Sequence, residues 1–308
     1  MAMNTAVATG AGLSVLSGVI QTVYSQEVLL AAQPLLKFDQ FAVTKTELNV
    51  SPGLTIQFLG YDNIALGGKL TEGVQMTTKT LSTNTRQITV YEYGNAVAAS
   101  ELLLQTSFRD VMADAAVLLG RDYATVVDSE ERAVLETTTQ KVFAARRSGH
   151  STLVAADILD VRAVKDAVEV LSTKNIPKVQ GDFYVCFVHP HQSRGLRDDA
   201  NWINAAQYGD PDRIFNGEIG RIEDVVFIET TDLTVIPVNT GGAPQNTTID
   251  TYKAILFGDE AFAKAVALPV EMRDNGIIDF GREHSLGWYS IMGFGILRDY
   301  TSVVIETA

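Results

Sequence analysis

Residues 96–145 contain no proline and a single glycine, Gly120. A stretch this long without helix breakers constrains the fold more than any motif in the chain. Leu104, Phe108, Val111, Ala115, Leu118, Tyr123 and Val126 recur at three-and-four spacing, with Arg109, Asp110, Asp114, Arg121 and Asp122 on the other faces. The pattern predicts one helix, with a start or kink at the weak capping pair Ser107 and Asp110. Some 40 residues at ~1.5 Å each would span roughly 60 Å. That exceeds the width of an ordinary small domain. Glu130, Glu131, Arg132 and Lys141 mark the last part as a solvated face.

The flanking segments read very differently. Residues 1–45 open with Ala, Gly, Ser and Thr, followed by a short helix over about 25–32 that Pro34 ends. So much apolar content with so little periodicity builds no core of its own, and the segment reads as an arm lying on something else, such as another copy. Between 50 and 94 the period changes to two. Leu54, Ile56 and Phe58 alternate with Thr55 and Gln57, and a second alternating run covers 87–93. The glycine-bearing loop 62–73 and the polar run 77–86 (TTKTLSTNTR) lie between them. Two strands with so little apolar surface make a long hairpin that projects from a body and needs a partner to cover it.

Beyond a link at 146–160, an α/β stretch follows. Its helices are expected at 160–172 (Val161, Val164, Val168 and Leu171 inward), 192–208 and 260–266; its strands at 183–188, 220–230 and 253–257. The run 235–250 (VIPVNTGGAPQNTTID) reads as a surface loop or flap. The last forty residues return to strands at 269–273, 287–297 and 302–305. There is no internal repeat and no linker flexible enough to separate domains.

Composition limits the function classes. The 308 residues are 46% hydrophobic and 20% charged, which suits a packed chain of one large domain or two to three units. With 37 acidic and 24 basic residues the formal charge is -13. Such a chain does not hold a phosphate backbone by a general basic surface, because counterion release needs clustered Lys and Arg. The acidity serves solubility or, more sharply, provides a surface that faces nucleic acid without gripping it. The lone Cys186 excludes an intrachain disulfide framework and a multi-thiolate zinc site, and points to a reducing compartment. The apolar run 10–20 is short and broken by Gly and Ser, without a signal peptide's basic flank or a membrane span's length. A soluble, intracellular protein is expected.

The stretch 185–196 (VCFVHPHQSRGL) gathers that cysteine and two of the four histidines. A metal site there would use His189 and His191 with the Asp198/Asp199 pair. Histidines two apart on a strand point the same way, but Pro190 marks a strand end where that direction is lost. His150 and His284 are far off in sequence, and no HExxH or comparable ligand spacing occurs. Cys186 lies between Val185 and Phe187, the setting of a buried structural thiol rather than a nucleophile. Gly217 and Gly220 precede a strand instead of following one, which inverts a dinucleotide turn. Asp198, Asp199, Asp210 and Asp212 mingle with Arg194, Arg197 and Arg213 as a salt-bridged helix and loop. No catalytic, cofactor-binding or metal-ligating set assembles, and no cofactor is expected.

Arm, projecting hairpin, long helix and α/β module, in that order, resemble the coat proteins of tailed bacteriophages with the Hong Kong 97-type fold. The wording FYVCFVHPHQSRGLRDDANWINAAQYG, followed by IFNGEIGRIEDVVFIET, is similar to the major capsid protein family of the N-four-like phages. It shares a strand, a His-Pro turn, a helix carrying Trp202, then Gly217, Gly220 and a strand ending in Glu229-Thr230. The resemblance implies an α+β, Hong Kong 97-like capsid fold in five parts. These are an N-terminal arm at 1–45 reaching across neighbours, an extended β-hairpin loop at 46–95, and a spine helix with the first part of the peripheral domain at 96–157. An α/β axial domain at 158–265 follows, and residues 266–308 complete the peripheral domain's sheet.

The same resemblance implies a structural protein rather than an enzyme. It would self-assemble into pentamers and hexamers of an icosahedral head around double-stranded DNA, without sequence-specific binding and without a membrane. It would belong to the virion, assemble in the host cytoplasm, and meet decoration, scaffold and portal proteins. Some relatives crosslink a loop lysine to a neighbour's asparagine; Lys69 is a loop lysine without a matching acid or acceptor, so no crosslinking is expected. About 45 residues precede the hairpin, so a separate scaffold, or none, is expected rather than a cleaved leading segment. Two alternatives remain: an encapsulin-like compartment shell of the same fold, and a metal-dependent hydrolase built on His189 and His191. The Thr-rich hairpin and the 235–250 insertion favour the viral family over the first.

Overall fold

The computed structural model describes residues 36–47, 53–61, most of 64–107, 110–199, 218–237, 249–298 and 300–308. Two sheets organise them. The first runs in the order β1 (Val43–Lys45), β11 (Phe262–Ile278), β12 (Glu283–Ile296), β4 (Tyr91–Ser100), with β1 parallel to β11 and the other pairs antiparallel. β11 and β12 form one long hairpin, paired from Phe262 opposite Ile296 to Ile278 opposite Glu283. Its register slips between Leu268 and Glu271, where Pro269 lacks the N–H a regular ladder needs. β1 covers only Ala263–Ala265, so Pro269 sits beyond its reach.

The second sheet runs β5 (Lys141–Phe143), β13 (Ser302–Thr307), β10 (Thr251–Phe257), β6 (Tyr184–Val188), β8 (Val225–Glu229), β7 (Glu218–Ile222), and the two-residue β9 (Val235–Ile236) pairs with β10. β6 is central and buried on both faces, which is why its sequence is apolar throughout rather than alternating. Tyr184, Cys186 and Val188 face α3 (Val161–Thr173) and α4 (Pro190–Arg197); Val185 and Phe187 face Phe38 and Leu135. The expected inward residues of α3 are the ones its packing uses, with Val161, Val164 and Leu171 fully covered. β2 (Thr55–Tyr61) and β3 (Thr83–Thr89) form a separate antiparallel hairpin, but its second strand lies earlier than the expected 87–93: residues 83–86 come from the polar run, and 91–93 belong to β4 in the first sheet.

The long helix is shorter than expected. α1 (Glu101–Thr106) ends at Ser107, where the backbone turns extended, and α2 (Val111–Glu136) starts afresh. Asp110 rather than Ser107 is the cap: its carboxylate accepts the N–H groups of Met112 and Ala113 at 3.0 and 3.2 Å. Residues 96–100 belong to β4. The 26 residues of α2 span about 39 Å at ~1.5 Å each. Its covered face runs through Ala116, Leu119, Tyr123, Val127, Glu131 and Leu135, while Leu118, expected inward, is exposed. Most of that face lies on the first sheet against Met272, Leu286, Trp288 and Met292. Leu135 enters the core of the second sheet with Phe187 and Phe257. One helix therefore joins both sheets.

Other expectations are corrected. Of residues 260–266, read as a helix, 262–266 are the first five of β11, buried on both faces and so without the alternation that marks a strand. The final strand does not complete the sheet of β11 and β12. β13 pairs with β10 and β5, an interior position that suits six residues all buried. The run 220–230 is two strands, joined at Glu223 and Asp224, both at positive φ (51° and 59°). That is the backbone of a tight two-residue hairpin turn, without the Asn-Gly or Asp-Gly that usually announces it. The arm up to residue 35 with its expected 25–32 helix, residues 200–217 with Trp202, and residues 238–248 of the expected flap lie outside the described residues.

Candidate functional site

The histidines of the 185–196 stretch do local structural work. His189 is the N-cap of α4: its Nδ1 accepts the His191 N–H at 3.2 Å, and Gln192 Oε1 accepts the His189 N–H at 3.2 Å. Pro190 takes the first helical position, where no N–H is missed. Burial, and then the neighbouring His191, hold the His189 pKa below its ordinary value, which keeps Nδ1 an acceptor at neutral pH. The His191 ring stacks on Tyr252 at 4.4 Å. Gln192 reaches under the helix to Thr307 Oγ1 at 2.9 Å and to the Tyr252 carbonyl at 3.2 Å.

Neither aspartate joins these rings. Asp198 is the C-cap of α4, and Asp199 accepts the Val161 N–H at the start of α3. His150 bonds Glu306 and His284 bonds Asp274, each at 2.8 Å. Among the described residues no group of three His, Cys, Asp or Glu converges as a metal site. Cys186 is fully buried, and desolvation pushes its thiol far up. No reactive centre forms here. Asp210, Asp212 and Arg213 lie outside the described residues.

A different cluster gathers where residues 37–45 cross the two sheets. Asp128 of α2 accepts the Lys37 N–H at 3.0 and 3.2 Å and the Phe38 N–H at 3.3 Å. Lys37 Nζ donates to the Glu229 carbonyl at 2.7 Å, and Phe38 stacks on Phe187 at 3.9 Å. Asp39 Oδ1 accepts from Lys264 Nζ at 2.7 Å, and β1 then pairs with β11. Glu131, expected on a solvated face, is fully buried between these groups. Its spacing from Val127 and Leu135, four residues either way, was the available signal. Desolvation, with Asp39 and Asp128 nearby, pushes its pKa well up, and Asp128 is raised to about 6, chiefly by burial.

The exposed surface carries apolar groups on projecting parts. On and beside the β2–β3 hairpin, Leu54, Leu59, Ile64, Leu66, Met76 and Leu81 are all at least 59% exposed. At the far end of the first sheet, the β11–β12 tip bears Ile277, Ile278 and a fully exposed Phe280. α1 adjoins that tip, since the Glu101 N–H donates to the Arg282 carbonyl at 2.8 Å, and adds Leu102 and Leu103. Together they form an apolar end to the sheet, which the sequence reading missed. Contiguous apolar surface of this kind marks an interaction site. Lys69 is exposed on the hairpin loop.

The sequence pattern of the family described as Phage capsid protein matches residues 126–307, more than half of the chain. The chain belongs to the phage capsid protein family. The major capsid protein of Staphylococcus phage phiMR11 is 24% identical over 200 residues, which cover 64% of this chain and 66%, just under two thirds, of that relative. Solved phage capsids share the fold. That of Ralstonia phage GP4 matches with a TM-score of 0.70 at 19% identity, covering 87% of each chain. That of the cyanophage P-SCSP1u matches with a TM-score of 0.67 at 16% identity, covering 89% of this chain and 88% of the other. The architecture is the α+β, Hong Kong 97-like fold of tailed-phage capsids. The narrower resemblance to the N-four-like phages stays an expectation from the sequence, carried by the 183–230 stretch together with the early strand and the long helix.

Proposed function

We propose that the chain is the coat subunit of a tailed-phage head, assembling as pentamers and hexamers into a closed icosahedral shell around double-stranded DNA. Family membership carries this reading, and the exposed apolar groups on projecting elements support it. In this reading α2 is the spine, the first sheet with it is the peripheral domain, and the second sheet with α3 and α4 is the axial domain around the capsomer axis. Residues 46–95 lie over a neighbouring subunit and residues 1–45 reach across the contact between subunits. The charge of -13 leaves the genome ungripped, so packaged DNA can move. The protein acts as a structural component rather than an enzyme. It belongs to the virion, is assembled in the host cytoplasm, and meets scaffold, decoration and portal proteins.

Covering one exposed leucine is worth about 1.5–3 kcal/mol, and a shell repeats each contact by symmetry. The test is to replace Leu59, Leu66 and Leu81 with serine together and compare sedimentation with the unaltered chain. The expected result is folded, soluble subunits or small oligomers that no longer reach shell size. Shells formed at unaltered yield would contradict the role given to the hairpin.

A further inference from the structure

Asn275 and Gly276 lie where β11 nears its tip, and the ladder with β12 skips between them. Asp274 is opposite Leu286 and Gly276 opposite Ser285, which leaves Asn275 as the extra residue of a bulge, without a partner on β12. Asn275 is exposed and lines an open cleft with Arg273, Ser285 and Tyr289. Gly276 takes a φ of +72°, and nothing stands within 4 Å of the place a Cβ would occupy. Its N–H donates to Asp274 Oδ1 at 2.7 Å, and His284 Nε2 lies 2.8 Å from the same oxygen. An unpaired side-chain amide is thus followed by a main-chain nitrogen that no side chain screens and whose proton points at a carboxylate.

We propose that Asn275 is a self-modification site: it cyclises on Gly276 to a succinimide, with Asp274 as the proton acceptor. Gly276 N attacks Asn275 Cγ and forms the new C–N bond while Asp274 takes the nitrogen's proton, a transfer that needs a base within hydrogen-bond reach. That proton passes to the side-chain nitrogen, the Cγ–Nδ2 bond breaks and ammonia leaves, so Asp274 ends ionised as it began. Solvent water then opens the ring. Attack at Cγ gives aspartate; attack at the Asn275 main-chain carbonyl gives isoaspartate, in which the chain runs through Cγ. Asparagine and water become an acidic residue and ammonia, with no oxidant or reductant. The reaction is complete within one chain. Its product adds a carboxylate beside Ile277, Ile278 and Phe280, which on the coat-subunit reading is surface that a neighbouring copy covers.

The test is to incubate the folded, full-length protein at neutral pH beside a synthetic peptide of residues 270–280, and to follow Asn275 in both by mass-spectrometric peptide mapping. The chain's other Asn-Gly pair, Asn216-Gly217, lies outside the described residues and is mapped separately. The expected result is loss of ammonia and then paired aspartate and isoaspartate forms at Asn275. They should accumulate on the order of 100-fold faster in the folded protein than in the peptide, the lower end of what a positioned base contributes. Asn275 recovered as the intact amide while the peptide converts, or equal rates in the two, would overturn the proposal, and neither measurement needs a variant to fold. Asp274→Ser keeps a short polar acceptor and removes the carboxylate, and is expected to bring the folded rate down to that of the peptide. An unaltered rate in that variant would overturn the part given to Asp274.

Discussion

Asp128 holds a negative charge where the fold leaves it little water, and it does so to bind two backbone N–H groups of the 37–38 segment. Its pKa rises from 3.8 to about 6, burial being the main cause, with Asp232 and Asp39 adding to it. The native state therefore takes up this proton before the unfolded chain does. Stability from this group is fully present below about pH 4 and is lost as pH rises through 6. A shift of about two units is worth roughly 3 kcal/mol. Thermal unfolding between pH 7.5 and 5 is expected to show a rise in stability on acidification that Asp128→Asn lacks; parallel profiles would contradict the assignment. His189 makes a second test at this scale. His189→Ala should cost about 0.5–2 kcal/mol through the lost cap, while His189→Asn keeps most of it; equal melting temperatures for the two would show that the cap contributes nothing. That stretch was legible beforehand, because an apolar run followed by His-Pro reads as a strand entering a helix. Glu131 was not, because residue type suggests solvent where its spacing from Val127 and Leu135 dictates burial.

The hairpin β2–β3 can project only because its base is seated. Ile56, Ile88 and Val90 pack on Ala263 and Ala265, and β12 passes close behind through Gly293 and Gly295. A Cβ on Gly293 would clash with the Thr89 carbonyl oxygen, and one on Gly295 would meet the Ile88 side chain at 2.8 Å. Gly293→Ala is therefore expected to lift β3 off the sheet, at about 1–3 kcal/mol. Hydrogen exchange should quicken in 83–89 while α3 and β6 stay protected; unchanged exchange in β3 would refute the close approach. The elements legible in the sequence were those whose environment matches one period, namely α3, β6 and the first strand of the hairpin; its second strand was expected at 87–93, where the run in fact crosses from β3 into β4. The break before α2 was obscured because residues 107–110 contain no breaker and Asp110 acts through its cap alone. The start of β11 was obscured because burial on both faces erased alternation, and β13 because the choice of sheet is made by distant partners.

For the whole molecule, one helix joins two sheets, and a hairpin and an apolar sheet end stand out from them. The family's sequence pattern and the fold agree on a phage coat protein. Composition contributed little to that, since an acidic chain with one cysteine fits many proteins. The order of the parts contributed most, because arm, hairpin and spine each leave surface for another copy to cover. Electron microscopy of the purified, full-length chain is the most direct test. Closed shells, or rings of five and six subunits, are the predicted result; a chain that stays monomeric at high concentration would contradict the account.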